Sequence, residues 1–275
     1  MSGKPNRIRE HYDENGYVIV RDVVDAELLD EMRQHLDWLL ARHPEMQNLQ
    51  IIPPILAASD PFWMRVVSDE RLLDIAEQFV GRSISLFQST YFLKPAFDGR
   101  PVPWHQDGWY WPLDPQDGVV SIWLAVDESS PENGCLRVIP GSHRGEVKDH
   151  IQDADAAGGF QNRLSSEFVD EAKAVDLILK PGDVSIHSPK IIHGSNANTS
   201  PKRRCGLTTS YIPTSTRIVR GAAGWPDEIW WSNGRWCASL HLRGGDAAHA
   251  NEYQVWPQYD AARHMAFRGC GQTHD

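Results

Sequence analysis

The sequence predicts a mainly β fold with flanking helices, a barrel or jelly roll built as one domain. Three observations carry this reading. Helical periodicity is confined to about residues 1–82, short β-rich runs broken by Gly, Pro, Asn and Asp follow from Ser83 onward, and a length of 275 residues suits a single all-β core with a helical extension.

The elements follow in chain order. Gly16-Tyr17-Val18-Ile19-Val20 is a short β-branched run that reads as an edge strand. From Asp25 to His43, the residues Leu28, Leu29, Met32, Leu36, Leu39 and Leu40 recur at helical spacing, with Asp25 as the N-cap. Asp60 to Val80 repeats the pattern through Met64, Val67, Leu72, Leu73, Ile75, Ala76 and Phe79, as one helix or two short ones, and stops at Gly81 as a C-cap would. The β-rich runs Ser83–Leu93, Val119–Val126, Leu136–Ile139, Val184–Ile186 and Gly206–Ile212 form a core of about residues 83–213. Between them, Val147 to Lys173 is polar and without strong period, which predicts a surface insertion or a lid over the site. The C-terminal segment, about 214–275, is Trp-rich and irregular, and no secondary structure is assigned to it from Gly221 onward.

Charge and cysteine usage narrow the function classes. A formal net charge of −10 disfavours nucleic-acid and anionic-membrane partners, and the one dense basic cluster is Lys202-Arg203-Arg204. Cys135, Cys205, Cys237 and Cys270 are scattered and form no CxxC pair, which argues against a zinc ribbon or a dithiol motif and for a reduced compartment. The N-terminus has no apolar signal core and no stretch approaches the ~18 apolar residues of a membrane span, so a cytoplasmic protein is expected. Asn198-Thr199-Ser200 matches a glycosylation acceptor that has no consequence there. Nothing in the sequence reads on the oligomeric state.

The chemistry concentrates in Trp104-His105-Gln106-Asp107. On a strand, side chains alternate, so His105 and Asp107 share a face and Gln106 points away. A third ligand from Asp183–Gly194, which holds His187 and His193, completes two imidazoles and a carboxylate on one side of a metal. That set leaves up to three open positions, as iron(II) requires to hold a bidentate 2-oxoacid together with O2. Alone, an HxD is weak, because most isolated pairs are surface or structural residues. Arg204 raises its weight. It opens the next β-rich run after a turn of Asn198, Ser200 and Pro201, where a guanidinium can grip the distal carboxylate of 2-oxoglutarate through two parallel hydrogen bonds that a lysine could not reproduce. Arg203 beside it is read as a solvated loop residue.

These residues resemble the phytanoyl-CoA dioxygenase family of iron(II)- and 2-oxoglutarate-dependent oxygenases, from about Gly16 to Pro213. The likeness rests on Trp104-His105-Gln106-Asp107, on Glu132-Asn133-Gly134-Cys135-Leu136-Arg137-Val138-Ile139-Pro140-Gly141-Ser142-His143, and on His193 followed eleven positions later by Arg204. The resemblance implies a double-stranded β-helix, a cupin-like jelly roll with helices packed on one sheet, in agreement with the strand reading. It implies His105, Asp107 and His193 as the iron(II) ligands, Arg204 and Ser195 on the far carboxylate of 2-oxoglutarate, and Thr90 and Trp123 completing the cosubstrate pocket. It also implies that O2 decarboxylates 2-oxoglutarate to succinate and CO2 while a substrate carbon is hydroxylated. Related halogenases carry a small residue in place of Asp107, so hydroxylation is favoured over halogenation. His187 is the rival third ligand, but Pro189 intervenes and only His193 has the family's spacing to arginine. His143 reads as a hydrogen-bonded structural residue, and Asn133-Gly134 as a turn with Gly at positive φ.

For the substrate, an aromatic block of Trp104, Trp109, Tyr110 and Trp111 adjoins the metal motif, and Trp225, Trp230, Trp231, Trp236 and Trp256 follow. Trp109, Tyr110 and Trp111 are the candidate substrate contacts. Core packing explains most such rings, while an aromatic wall would suit a cationic or apolar small molecule. Arg217, Arg220, Arg235 and Arg243 could instead meet an acidic head group. Bacterial members of the family act on osmolyte amino acids, aminophosphonates and natural-product intermediates, so a small polar metabolite is expected rather than an acyl-CoA. Two other classes compete. A zinc hydrolase or isomerase would leave Arg204 without a task, and a non-catalytic jelly-roll binding protein would have little reason to keep a full triad.

Overall fold

The computed structural model describes residues 4–44, 51–52, 61–152, 162–219 and 238–253. The chain runs α1 (Lys4–Asn15), β1 (Tyr17–Val20), α2 (Ala26–Arg42), β2 (Ile51–Ile52), α3 (Pro61–Val67), α4 (Glu70–Val80), β3 (Ile84–Lys94), β4 (Val102–His105) and α5 (Asp107–Tyr110). It continues through β5 (Leu113–Asp114), β6 (Val120–Ala125), β7 (Leu136–Val138), β8 (His150–Gln152), β9 (Asn162–Leu164), β10 (Val175–Asp176), β11 (Val184–His187) and β12 (His193–Ser195). It ends with β13 (Arg204–Pro213), β14 (Arg217–Ile218), β15 (Ala238–Arg243) and β16 (Glu252–Tyr253).

The helices begin and end where local chemistry dictates. The Asp25 carboxylate accepts from the Leu28 amide at 2.9 Å and caps α2, satisfying a donor that the first turn cannot. The stretch 60–80 is two helices because Ser68 closes α3 on the Met64 carbonyl and Asp69 caps a new start at Arg71. Gly81, at φ 80°, ends α4. Helix α1 was not anticipated. Its sequence is polar, and Ile8 and Tyr12 pack against the main core.

Two sheets form the jelly roll. The larger has eight strands in the order β1-β11-β6-β13-β3-β15-β16, with β2 also on β3, and the smaller is β10-β7-β12-β4. Pairing is antiparallel throughout, except for β15 with β16. The outer face of the large sheet carries Ile122, Leu124, Val184, Ile186, Cys205, Leu207 and Tyr91, which pack with Leu28, Met32, Leu36, Trp63, Met64, Leu72 and Leu73 of the helices into one core. Strand β1 is the edge strand expected at 16–20. All six residues of β6 are buried, because helices cover one face and the second sheet the other.

The register sets out the inner face in rows. Tyr17, His187, Ser121, Ser210 and Gln88 lie side by side across β1, β11, β6, β13 and β3. The next row is Ile19, Ser185, Trp123, Thr208 and Thr90, and beyond it Arg204 pairs with Lys94.

One sequence expectation needs correction. Arg203 is not a free loop residue: its guanidinium pairs with Asp127 at 2.9 Å and Asp37 at 2.9 Å, tying β13 to α2 and to the loop after β6. Within the described residues of the 147–173 segment, β8 and β9 pair as an antiparallel hairpin and 3₁₀ turns follow. The alternation there is too short to register as a period. The Trp-rich residues Trp225, Trp230, Trp231, Trp236 and Trp256, with Arg220, Arg235, Cys237 and Cys270, lie outside the described residues. Among the described residues no helix is long and apolar enough to cross a membrane.

Candidate active site

His105 and His193 are direct cross-strand partners on β4 and β12, which sets their rings 4.1 Å apart between centroids. Each ring has its proton placed by the backbone. Nδ1 of His105 donates to the Pro103 carbonyl at 2.8 Å, and Nδ1 of His193 to the Ile191 carbonyl at 3.1 Å. A carbonyl only accepts, so each Nε2 carries a lone pair turned to the site, the tautomer a metal needs. Asp107 Oδ1 lies 3.5 Å from His105 Nε2 and 3.7 Å from His193 Nε2, and the three donor atoms fall within 4.8 Å of one another.

Convergence does not arise as the alternation argument expected. β4 ends at His105, and Asp107 opens the single helical turn α5, so the carboxylate swings in from a strand-to-helix corner. Gln106 does point away, and its burial fixes that corner. Its side chain donates to the Lys190 carbonyl at 2.6 Å and accepts from the Lys148 amide at 2.8 Å, while its own amide donates to Nε2 of His150 at 3.0 Å. Burial pushes His150 down to about 4, which keeps that nitrogen an acceptor.

Electrostatics match a metal site. Burial alone would raise the Asp107 carboxyl, but the imidazoles of His193, His105 and His187 outweigh it and hold the group below the usual carboxylate range. Burial and then the neighbouring His105 push His193 down to about 3, so it is neutral and able to ligate. His187, the rival ligand, stands apart. Its Nε2 is 3.5 Å from the other oxygen, Asp107 Oδ2, and its buried Nδ1 has no hydrogen-bond partner among the described residues, where no carbonyl sets its tautomer as it does for His105 and His193.

The triad opens into a cavity whose wall includes His187, Gln88, Phe92, Trp111, Trp123, Ser195, Thr208 and Arg204. Arg204 is 3% exposed and has no hydrogen-bond or ion-pair partner among the described residues. It lies over the Trp123 ring at 5.3 Å, and burial lowers it to about 10, leaving it a cation at neutral pH. Nearby, the Asn198 side-chain amide ties the end of β3 to the turn before β13, donating to the carbonyls of Lys94, Pro95 and Lys202.

Of the sequence-derived candidates, Ser195, Trp123 and Arg204 line this cavity with the triad. Thr90 lies on the same sheet face, between Gln88 and Phe92, but is not part of the wall. Trp111 reaches the wall, whereas Trp109 stacks on His150 at 4.6 Å and the Tyr110 hydroxyl donates to the Asn162 carbonyl in β9. These two rings pack under the β8–β9 hairpin. His143 donates through Nε2 to the Asp13 carbonyl at 3.1 Å, and Gly134 has φ 77°, where a Cβ would meet Asn196 O at 2.4 Å. Sequence reading missed Gln88, Phe92 and Thr208. The alternation from Lys94 back to Gln88 was the signal available, but it needs the partner strand to say which face is inward.

Comparison with known proteins agrees with this geometry. The family described as Phytanoyl-CoA dioxygenase (PhyH) matches residues 12–206. An ectoine dioxygenase of Sphingopyxis alaskensis is 29% identical over 233 residues, covering 76% of each chain. A probable alpha-ketoglutarate-dependent hypophosphite dioxygenase of Stutzerimonas stutzeri is 32% identical over 166 residues, 59% of this chain and 57% of that one. Among solved structures, EctD from S. alaskensis with bound Fe superimposes with a TM-score of 0.67 at 25% identity, covering 88% of both chains. With the match spanning both halves of the metal site and the strand that carries Arg204, the chain belongs to the phytanoyl-CoA dioxygenase family of iron- and 2-oxoglutarate-dependent oxygenases.

Proposed function

We propose that the chain hydroxylates a small metabolite, with His105, Asp107 and His193 holding iron(II) and Arg204 and Ser195 receiving the far carboxylate of 2-oxoglutarate. The observation that carries the reading is Arg204: a buried guanidinium with no anionic partner among the described residues, facing the same cavity as a two-imidazole, one-carboxylate donor set. A buried unpaired cation is unfavourable by several kcal/mol unless an anion joins it, so the site is built for a carboxylate that arrives from solution. Trp123 supplies a flat wall beside it, and Thr90 supports that wall through its pairing with Thr208.

When bound, iron(II) and 2-oxoglutarate supply the O2-dependent oxidation that ends in succinate, CO2 and a hydroxylated substrate. The chain's own residues orient and shield. The His105 and His193 carbonyl contacts keep both Nε2 lone pairs aimed inward, and the Gln106 network fixes the corner that carries Asp107. Asp107, rather than a small residue, supports hydroxylation over halogenation. On the side away from Arg204, Trp111 and Gln88 offer aromatic surface and one amide. This suits a small molecule with a limited polar group better than an acyl-CoA, and the names of the two relatives point to small molecules as well.

The test is anaerobic titration of iron(II)-loaded protein with 2-oxoglutarate. A weak visible charge-transfer band should grow in, vanish in His193→Ala, and need more 2-oxoglutarate in Arg204→Ala. If wild-type protein forms no band, the oxygenase reading falls and a zinc enzyme becomes the better one.

A further inference from the structure

We propose that His187 is a positioning residue that donates from Nε2 to Asp107 Oδ2, so that the carboxylate meets the metal through Oδ1 alone. This rests on the metal-site reading above and extends it to the opposite sheet.

The three imidazoles around Asp107 divide the carboxylate between them. His105 and His193, both on the small sheet, address Oδ1 at 3.5 and 3.7 Å. His187, on the inner face of the large sheet, addresses Oδ2 at 3.5 Å. The metal is therefore held from one sheet and the free carboxylate oxygen braced from the other. The tautomer follows from burial. His187 is 3% exposed and its Nδ1 has no partner among the described residues. A proton on Nδ1 would strand a buried N–H and set the Nε2 lone pair against a carboxylate oxygen, two unfavourable arrangements at once. A proton on Nε2 removes both, because it points the donor at Oδ2.

The functional consequence is coordination number. Asp107 enters from a strand-to-helix corner, and an unbraced carboxylate can turn to offer both oxygens to one metal. That would occupy one of the three positions that a bidentate 2-oxoacid and O2 require. With Oδ2 held by His187, all three stay open. Partners of this kind to ligating groups typically change metal affinity by about 10–100-fold when removed.

Two readouts separate this from simple packing: affinity for cobalt(II), followed by its visible absorption, and the position of the iron(II)–2-oxoglutarate band. His187→Leu should bind cobalt(II) at least ~10-fold more weakly and form a shifted or weakened band. His187→Gln, whose amide nitrogen reaches the place of Nε2, should restore both to within a few-fold of wild type; it also stands in if the Leu variant does not fold. Wild-type affinity and an unchanged band in His187→Leu would overturn the proposal, as would a His187→Gln protein that folds normally yet is as impaired as His187→Leu. Metal binding abolished in His187→Leu but kept in His193→Ala would make His187 a ligand instead, which also overturns it. If wild type itself binds no cobalt(II) and forms no band, the oxygenase reading has failed, and this proposal with it.

Discussion

Gly206→Ala is the most informative single perturbation of the cosubstrate side. A Cβ at position 206 would sit 2.0 Å from Cζ2, 2.2 Å from Cε2 and 2.6 Å from Cη2 of Trp123. Ordinary carbon contacts begin near ~3.5 Å, so the indole must retreat by about 1.5 Å. It has little room, being 3% exposed and confined between Gly206 and the Arg204 guanidinium 5.3 Å from its ring. Overpacking of this sort is destabilising by about 1–3 kcal/mol. For a domain of this size that is a fall in Tm of about 2–4 °C per kcal/mol. A displaced ring also loses its alignment with Arg204, worth ~0.5–2 kcal/mol, or about 2–30-fold in 2-oxoglutarate affinity. Circular dichroism melts measure the first effect and the anaerobic 2-oxoglutarate titration the second. Adding Trp123→Phe, which removes the clashing atoms, should recover part of the Tm and none of the affinity. A Gly206→Ala protein with wild-type Tm and an overlapping titration curve would refute the claim that the indole lies across this glycine.

Three further outcomes are expected. Arg204→Lys keeps the charge but not the paired donors, and 2-oxoglutarate should bind roughly 10–100-fold more weakly by the same titration, with cobalt(II) affinity unchanged. Asp183 accepts from Arg21 and from the amides of Asp22 and Lys180; burial alone would raise its carboxyl, but these contacts hold it below its ordinary value. Its contribution is therefore complete above the unfolded carboxylate pKa of about 3.9 and fades as pH falls through the lower folded value. Asp183→Asn should lose about 1–3 kcal/mol in urea unfolding at neutral pH, and the gap to wild type should close in acid; a gap that widens in acid would contradict the assignment. Removing metal with a chelator should lower Tm, since a ligand present at ~100 times its Kd stabilises the folded chain by about 2.7 kcal/mol, and re-addition of iron(II) or cobalt(II) should restore it.

Much of the site was legible because its residues carry their chemistry locally. His105, Asp107, His193 and Arg204 are types whose spacing already suggested ligation and carboxylate capture, and all four face one cavity. The caps at Asp25 and Gly81 were readable for the same reason, since each acts on amides or carbonyls within a turn of itself. His187 is different. Its rivalry with His193 was visible, but only the register of β11 shows that it faces Oδ2 from the far sheet. Gln88, Phe92 and Thr208 were missed because alternation tells two faces apart without saying which is inward. Arg203 was misjudged because its partners, Asp127 and Asp37, are 76 and 166 residues away.

By itself, then, the sequence determined the β-rich core, the helices packed beside it, the candidate ligand types and the arginine proposed to receive a carboxylate. These depend on periodicity and on chemistry within a few residues. Only the tertiary structure decided how Asp107 turns the corner into the site, which imidazoles take which of its oxygens, and that Trp123 lies across Gly206. Those facts are set by the pairing of strands distant in the chain, and a shift of one residue in that pairing would send each of the side chains to the opposite face.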